Sequence, residues 1–163
     1  MSTSQTPILS IKDLFIEFET PDGAVKAVNG INLDLFKGEV LGIVGESGSG
    51  KSQSWMATLG LLAENATTSG EVTFDGENLL TLPPKALNPI RGNRIAMVFQ
   101  DPMTSLNPYL TIGEQLIEPL RIHQAMTRKD ARLRAIELLD EVGIRSPEQT
   151  FDSFPHEFSG GMR

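Results

Sequence analysis

The chain has no cysteine, so it can form no disulfide and offer no thiolate to a metal. It has no apolar run near the roughly 20 residues that span a bilayer; the longest lies around "MATLGLLA". Its first residues, "MSTSQTP", have neither a basic start nor an apolar core, which excludes a secretory signal. No basic block or aromatic platform is present, and the net charge of −7 would repel nucleic acid as a partner. There is no internal repeat and no low-complexity tract. His123 and His156 stand apart, without ligand partners at metal spacing. These absences predict a chain kept in the cytoplasm that reaches a membrane surface only by binding a membrane protein.

What is present suits a folded domain. Of 163 residues, 39% are hydrophobic and 21% charged, values of a globular protein with a core rather than a disordered one. "ILSIKDLFIEF" has strand character, with Leu14, Ile16 and Phe18 on one face. "TPDG" (Thr20 to Gly23) is a turn, and "AVKAV" and "INLDLF" continue as strands. The economical expectation is three short antiparallel strands. "VLGIV" (Val40 to Val44) is apolar on both faces, as in a strand buried in a parallel sheet. A glycine-rich turn and a helix, "KSQSWMATLGLLA", follow; strand, loop and helix make the first unit of an α/β fold. "EVTFDGENL" reads as strand and turn, and "RIAMVFQ" (Arg94 to Gln100) as a second buried strand.

Beyond Gln100 the pattern turns helical. "TIGE" (Thr111 to Glu114) is a capping box opening a helix that contains Pro119. "TRKD" (Thr127 to Asp130) opens another, with Ala131, Ala135, Leu138, Leu139 and Val142 at helical spacing and Gly143 at its end. "SPEQ" starts a third, with Pro147 at its first position. The sequence thus divides into an α/β core over residues 1–100 and a helical subdomain over 101–163.

"GESGSGKS" (Gly45, Glu46, Ser47, Gly48, Ser49, Gly50, Lys51, Ser52) fits G-x-x-x-x-G-K-[ST]. Glycines let successive backbone N–H groups turn inward around a phosphate, and the helix start adds the positive end of its dipole. In this pattern the Lys51 ammonium reaches the β- and γ-phosphates and the Ser52 hydroxyl reaches Mg²⁺. The motif follows an apolar strand and opens a helix, the context that separates a phosphate loop from a chance glycine-rich turn.

Three further stretches narrow the class. Phe18 precedes the phosphate loop, "MVFQDPMTSLNP" carries Gln100, and "FSGGMR" contains Ser159, Gly160, Gly161 and Met162. In this order and spacing the chain resembles the ATP-binding cassette family. "TPDGAVKAVNGINLDL", "LGIVGESGSGKSQ" and "PHEFSGGMR" are similar to the ATPase subunits of oligopeptide and dipeptide importers, over about Leu9 to Arg163.

The resemblance implies a P-loop NTPase core of α/β class with an antiparallel β layer and a helical subdomain, the C-terminal part of the core missing. It implies ATP and Mg²⁺ as cofactors. Phe18 would stack on adenine, although plain core packing is open for it. Gln100 would be the Q-loop residue touching Mg²⁺, and with Lys51 would carry the catalytic role. Ser159, Gly160, Gly161 and Met162 would meet the ATP of a second cassette in a homo- or heterodimer. Gln53 stands where much of the family has Thr or Ser, which leaves its α-phosphate contact open, and Phe158 where Leu is usual. Permease subunits in the membrane and, indirectly, a peptide-binding protein would be partners, with the chain peripheral on the cytoplasmic face. The Walker B carboxylates and switch histidine are not in the sequence, so this chain alone is expected not to turn ATP over. Uptake of dipeptides, nickel or other small solutes, a non-transport cassette ATPase, and a non-hydrolysing binding protein are the alternatives.

Overall fold

The computed structural model describes residues 6–100 and 105–158. The chain divides into two compact units, Met1–Arg91 and Gly92–Arg163. Residues 92–100, read from the sequence with the α/β core, fall in the second unit.

The first unit is built on a hairpin. Strand β1, Leu9–Thr20, pairs antiparallel with β2, Gly23–Leu35. Pro21 and Asp22 make the turn, tied by Thr20 Oγ1 donating to the Gly23 carbonyl at 2.6 Å. Strand β3, Ala66–Phe74, adds to the other side of β1, and the short β4, Glu77–Asn78, to β3. The four-stranded order is β2-β1-β3-β4. Ile11, Leu14, Ile16 and Val72 are fully buried on this sheet.

The expected three short strands are corrected here to two long ones. "AVKAV" and "INLDLF" are one strand because Gly30 carries the chain through at φ +74, with the Phe15 ring lying close over its Cα. Alternation also slips at Asp13, which takes φ +47 as the register with β2 shifts. The Asn32 side chain holds that bulge, accepting from Asp13 N at 3.0 Å and donating to Asp13 Oδ1 at 3.1 Å.

Helix α1, Lys51–Thr58, lies in the connection between β2 and β3. A 3-10 turn, Leu79–Thr81, and the four-residue α2, Pro84–Leu87, complete the unit.

Two segments depart from expectation. Val40–Val44 and Arg94–Gln100 are not strands among the described residues, and Val40 and Val98 are 97% and 91% exposed. A segment apolar on both faces becomes a strand only when neighbours bond both edges and helices cover both faces. No described strand pairs with either of them.

The second unit is a small helical bundle of α3, Ile112–Gln124, α4, Arg128–Glu141, and α5, Pro147–Phe151. Both anticipated caps form: Thr111 Oγ1 accepts from Glu114 N, and Thr127 Oγ1 from Asp130 N, each at 3.2 Å. Gly143, at φ +77, closes α4 by donating to the Asp140 carbonyl while Ile144 N reaches the Leu139 carbonyl. Ala131, Ala135 and Leu139 join Ile112, Ile117, Leu120, Phe151 and Phe158 in one core. Val142, read as part of the apolar face, is exposed, because it sits at the helix end where the chain turns away.

On the rim, Arg132 forks onto Asp152 (3.1 and 3.2 Å) and lies 4.2 Å over the Phe151 ring centre. The hydrogen bonds from Arg132 hold the Asp152 carboxyl below the usual carboxylate range. A lowered acid pKa adds stability above the ordinary carboxylate range that is lost as pH falls through the folded value. The pair is solvent-exposed, so the effect is small and salt-sensitive. In acid titrations monitored by circular dichroism, Asp152→Asn should flatten that part of the wild-type loss, and identical acid curves would refute it.

Candidate functional site

The site is made by a loop without side-chain bulk and a helix without a cap. Residues 45–50 cross from the exposed Val40–Val44 segment into α1. Gly48 and Gly50 hold φ +83 and +87, the left-handed region that costs other residues steric strain. At Gly50 a Cβ would also collide with the Ala27 carbonyl of β2, so the absence of a side chain lets α1 begin against the sheet.

Gly50 is the N-cap of α1 and supplies no side-chain bond, and the first turn contains no acidic residue. An α-helix leaves its first backbone N–H groups without intrahelical acceptors. Here the N-cap residue gives them no side-chain bond, and the positive end of the dipole can meet an outside anion. Lys51 Nζ folds over the loop, donating to the carbonyls of Gly45 (2.8 Å) and Glu46 (2.6 Å) and to Ser49 Oγ (3.1 Å). The ammonium is thus held at the mouth of the loop by acceptors that an anion can replace.

Ser52 is exposed and Gln53 half-buried, both in the first turn. A hard cation of the Mg²⁺ kind takes few protein ligands and completes its shell with water and phosphate oxygens. One exposed hydroxyl beside Lys51 fits that mode. Among the described residues, no cluster of His, Cys, Asp or Glu could hold a metal.

Beside Lys51 lies a cavity of about 570 Å³ walled by β2 residues Ala27 to Asn29 and Ile31 to Leu33, by Ile43 to Gly45, and by Ser49, Ser54 and Trp55. Its lining has no carboxylate. Sequence reasoning missed the contribution of β2 and of Trp55 to this wall. The i, i+4 spacing of Lys51 and Trp55 was the available signal.

Phe18, on β1 opposite Val25 and Ala66, is half-buried and does not line this cavity. Gln100 is exposed. After it, Gln115 pins the loop before α3, accepting from Asn107 N at 2.8 Å and donating to the Asn107 and Leu110 carbonyls. That leaves Tyr109 88% exposed at the loop's tip. Ser159, Gly160, Gly161 and Met162 lie outside the described residues, as do Asp101 to Thr104. Their approach is anchored by buried Phe158 and by Glu157, whose carboxylate accepts from Phe154 N at 2.7 Å.

A glycine-rich loop opening directly into a helix, beside an antiparallel layer and with a helical unit following in sequence, defines a P-loop nucleotide-binding fold of α/β class. The ABC transporter family matches residues 28–163, and the chain belongs to it. It is 50% identical over 157 residues to the oligopeptide transport ATP-binding protein OppD of Haemophilus influenzae, covering 96% of this chain and 49% of that protein. The chain therefore spans about half the length of the curated relatives it matches. Among solved structures it resembles the dimeric bacterial ABC transporter cassette MJ0796 with a TM-score of 0.77 and 29% identity, over 94% of this chain and 64% of that one. The same cassette in a post-hydrolysis state bound to ADP and Pi gives a TM-score of 0.75 at 28% identity, with the same coverage.

Proposed function

We propose that the chain is the ATP-binding part of a cassette ATPase that powers oligopeptide import. The carrying observation is the uncapped start of α1, with Lys51 held over the glycine loop by exchangeable acceptors. Incoming phosphates would draw Lys51 from the Gly45 and Glu46 carbonyls and take the first-turn N–H groups. Ser52 would hold Mg²⁺, which would supply neutralisation of phosphate charge. Gln53 would flank the α-phosphate.

Gln100 and the Tyr109 loop would carry the nucleotide state to membrane permease subunits, with a peptide-binding protein delivering solute. Ser159 to Met162 would face the ATP of a second cassette, in line with the dimeric relative. No helix among the described residues is long and apolar enough to cross a membrane. The OppD likeness supports oligopeptides as the solute. A strain deleted for the gene should lose growth on oligopeptides as amino-acid source. The wild-type gene should restore it and a Lys51→Ala copy should not; unchanged growth of the deletion strain would refute the reading.

Adenine stacking on Phe18 has its own test. Base–aromatic stacking is worth about 1–3 kcal/mol. Phe18→Ala should weaken ATP binding by about tenfold or more while leaving inorganic triphosphate binding unchanged, both read by calorimetry. Equal losses for both ligands would assign Phe18 to packing.

A further inference from the structure

Helix α1 is only eight residues long, and its first turn carries Lys51 and Ser52. It has no basic residue in its last turn, where the Trp55, Met56 and Ala57 carbonyls accept from the backbone N–H groups of Leu59, Leu61 and Gly60. The next two carbonyls, of Leu59 and Gly60 just past the helix end, are taken by one side chain far along the sequence. Arg91 Nε donates to the Leu59 carbonyl at 2.7 Å and Nη2 to the Gly60 carbonyl at 2.9 Å. Nη1 reaches Asn88 Oδ1 at 3.3 Å, steadying the guanidinium.

Gly60 is shaped for this clamp. It holds φ +59, and a Cβ there would come within 2.9 Å of Arg91 Nη2 and 2.8 Å of Leu87 Cδ1. A planar fork on two successive carbonyls fixes direction as well as distance, and a cation at a helix C-terminus complements the dipole.

We infer that Arg91 is a positioning residue for the phosphate site: it holds the far end of α1 so that Lys51 and the first-turn N–H groups keep their aim. Arg91 is also the last residue of the first unit, one peptide bond before Gly92 opens the second. The inference rests on the nucleotide reading above.

The test is made on the full chain, with Trp55, its single tryptophan, as fluorescent reporter of ATP and inorganic triphosphate, well below the thermal transition. Arg91→Ala should weaken both ligands in parallel by about tenfold, the scale of a lost charge-assisted hydrogen bond. Amide exchange over residues 51–58 should quicken without nucleotide present, and Arg91→Lys should recover part of the affinity. Wild-type affinity in a folded Arg91→Ala chain, or unchanged α1 exchange, overturns the inference alone. Failure of the wild-type chain to bind ATP overturns the nucleotide reading and this inference with it. If Arg91→Ala does not fold, Arg91→Gln, which keeps the stem without the charge, carries the same outcomes.

Discussion

Mg-ATP at 100 times its dissociation constant should raise the stability of the wild-type chain by about 2.7 kcal/mol, and Lys51→Ala should lose that gain entirely. The substitution removes an ammonium whose three partners are all within the exposed loop, so the unliganded fold should keep its melting temperature within a few degrees. Calorimetric melts of both chains, with and without Mg-ATP, decide the matter. A Lys51→Ala chain that still gains stability with ATP would place the phosphates elsewhere. A wild-type chain without a cooperative transition would show that the site needs structure outside this chain.

Gly50→Ala should cost both fold and site. A non-glycine residue in the left-handed region loses about 1–2 kcal/mol. The added Cβ also meets the Ala27 carbonyl and comes within 3.0 Å of Val28 Cγ2 on β2. The Ala27 carbonyl is backbone of β2, at the register shift between Lys26 and Val28, so relieving the contact requires β2 or α1 to move. We expect a loss of about 2–3 kcal/mol in urea unfolding. ATP binding should be undetectable, in contrast to the unchanged stability of Lys51→Ala. Wild-type stability in Gly50→Ala would mean that α1 does not start against β2.

How much of this was legible in the sequence depended on the range of the interaction. The glycine pattern of residues 45–52, the Thr111 and Thr127 caps and the Gly143 stop are local, and each reads within eight residues. The hairpin of β1 and β2 was legible through "TPDG" and the alternating Ile31, Leu33 and Leu35. Its length was not, because Gly30 bulges rather than turns, and only Phe15 across the strand shows why. Val40–Val44 and Arg94–Gln100 were read as buried strands from their composition. Burial requires neighbours, and apolar residues alone do not name them. Arg91 was invisible for the same reason: its partners at Leu59 and Gly60 are distant in sequence and are backbone atoms, which no side-chain pattern records.

The sheet also sets the order in which the molecule assembles. β1 and β2 meet across a two-residue turn, a pairing of the kind that closes in about 1–10 μs. β3 returns from beyond α1 to bring Ala66 beside Phe18 and Thr67 beside Glu17, so it must close a far longer loop. The phosphate loop lies inside that closure, tethered at both ends to strands of one sheet. Contact order leads us to expect that it takes shape after β3 docks. Nucleotide should then leave the refolding rate almost unchanged and slow unfolding by nearly the whole of its stabilising effect. Kinetic stability of this chain becomes a readout of ATP occupancy.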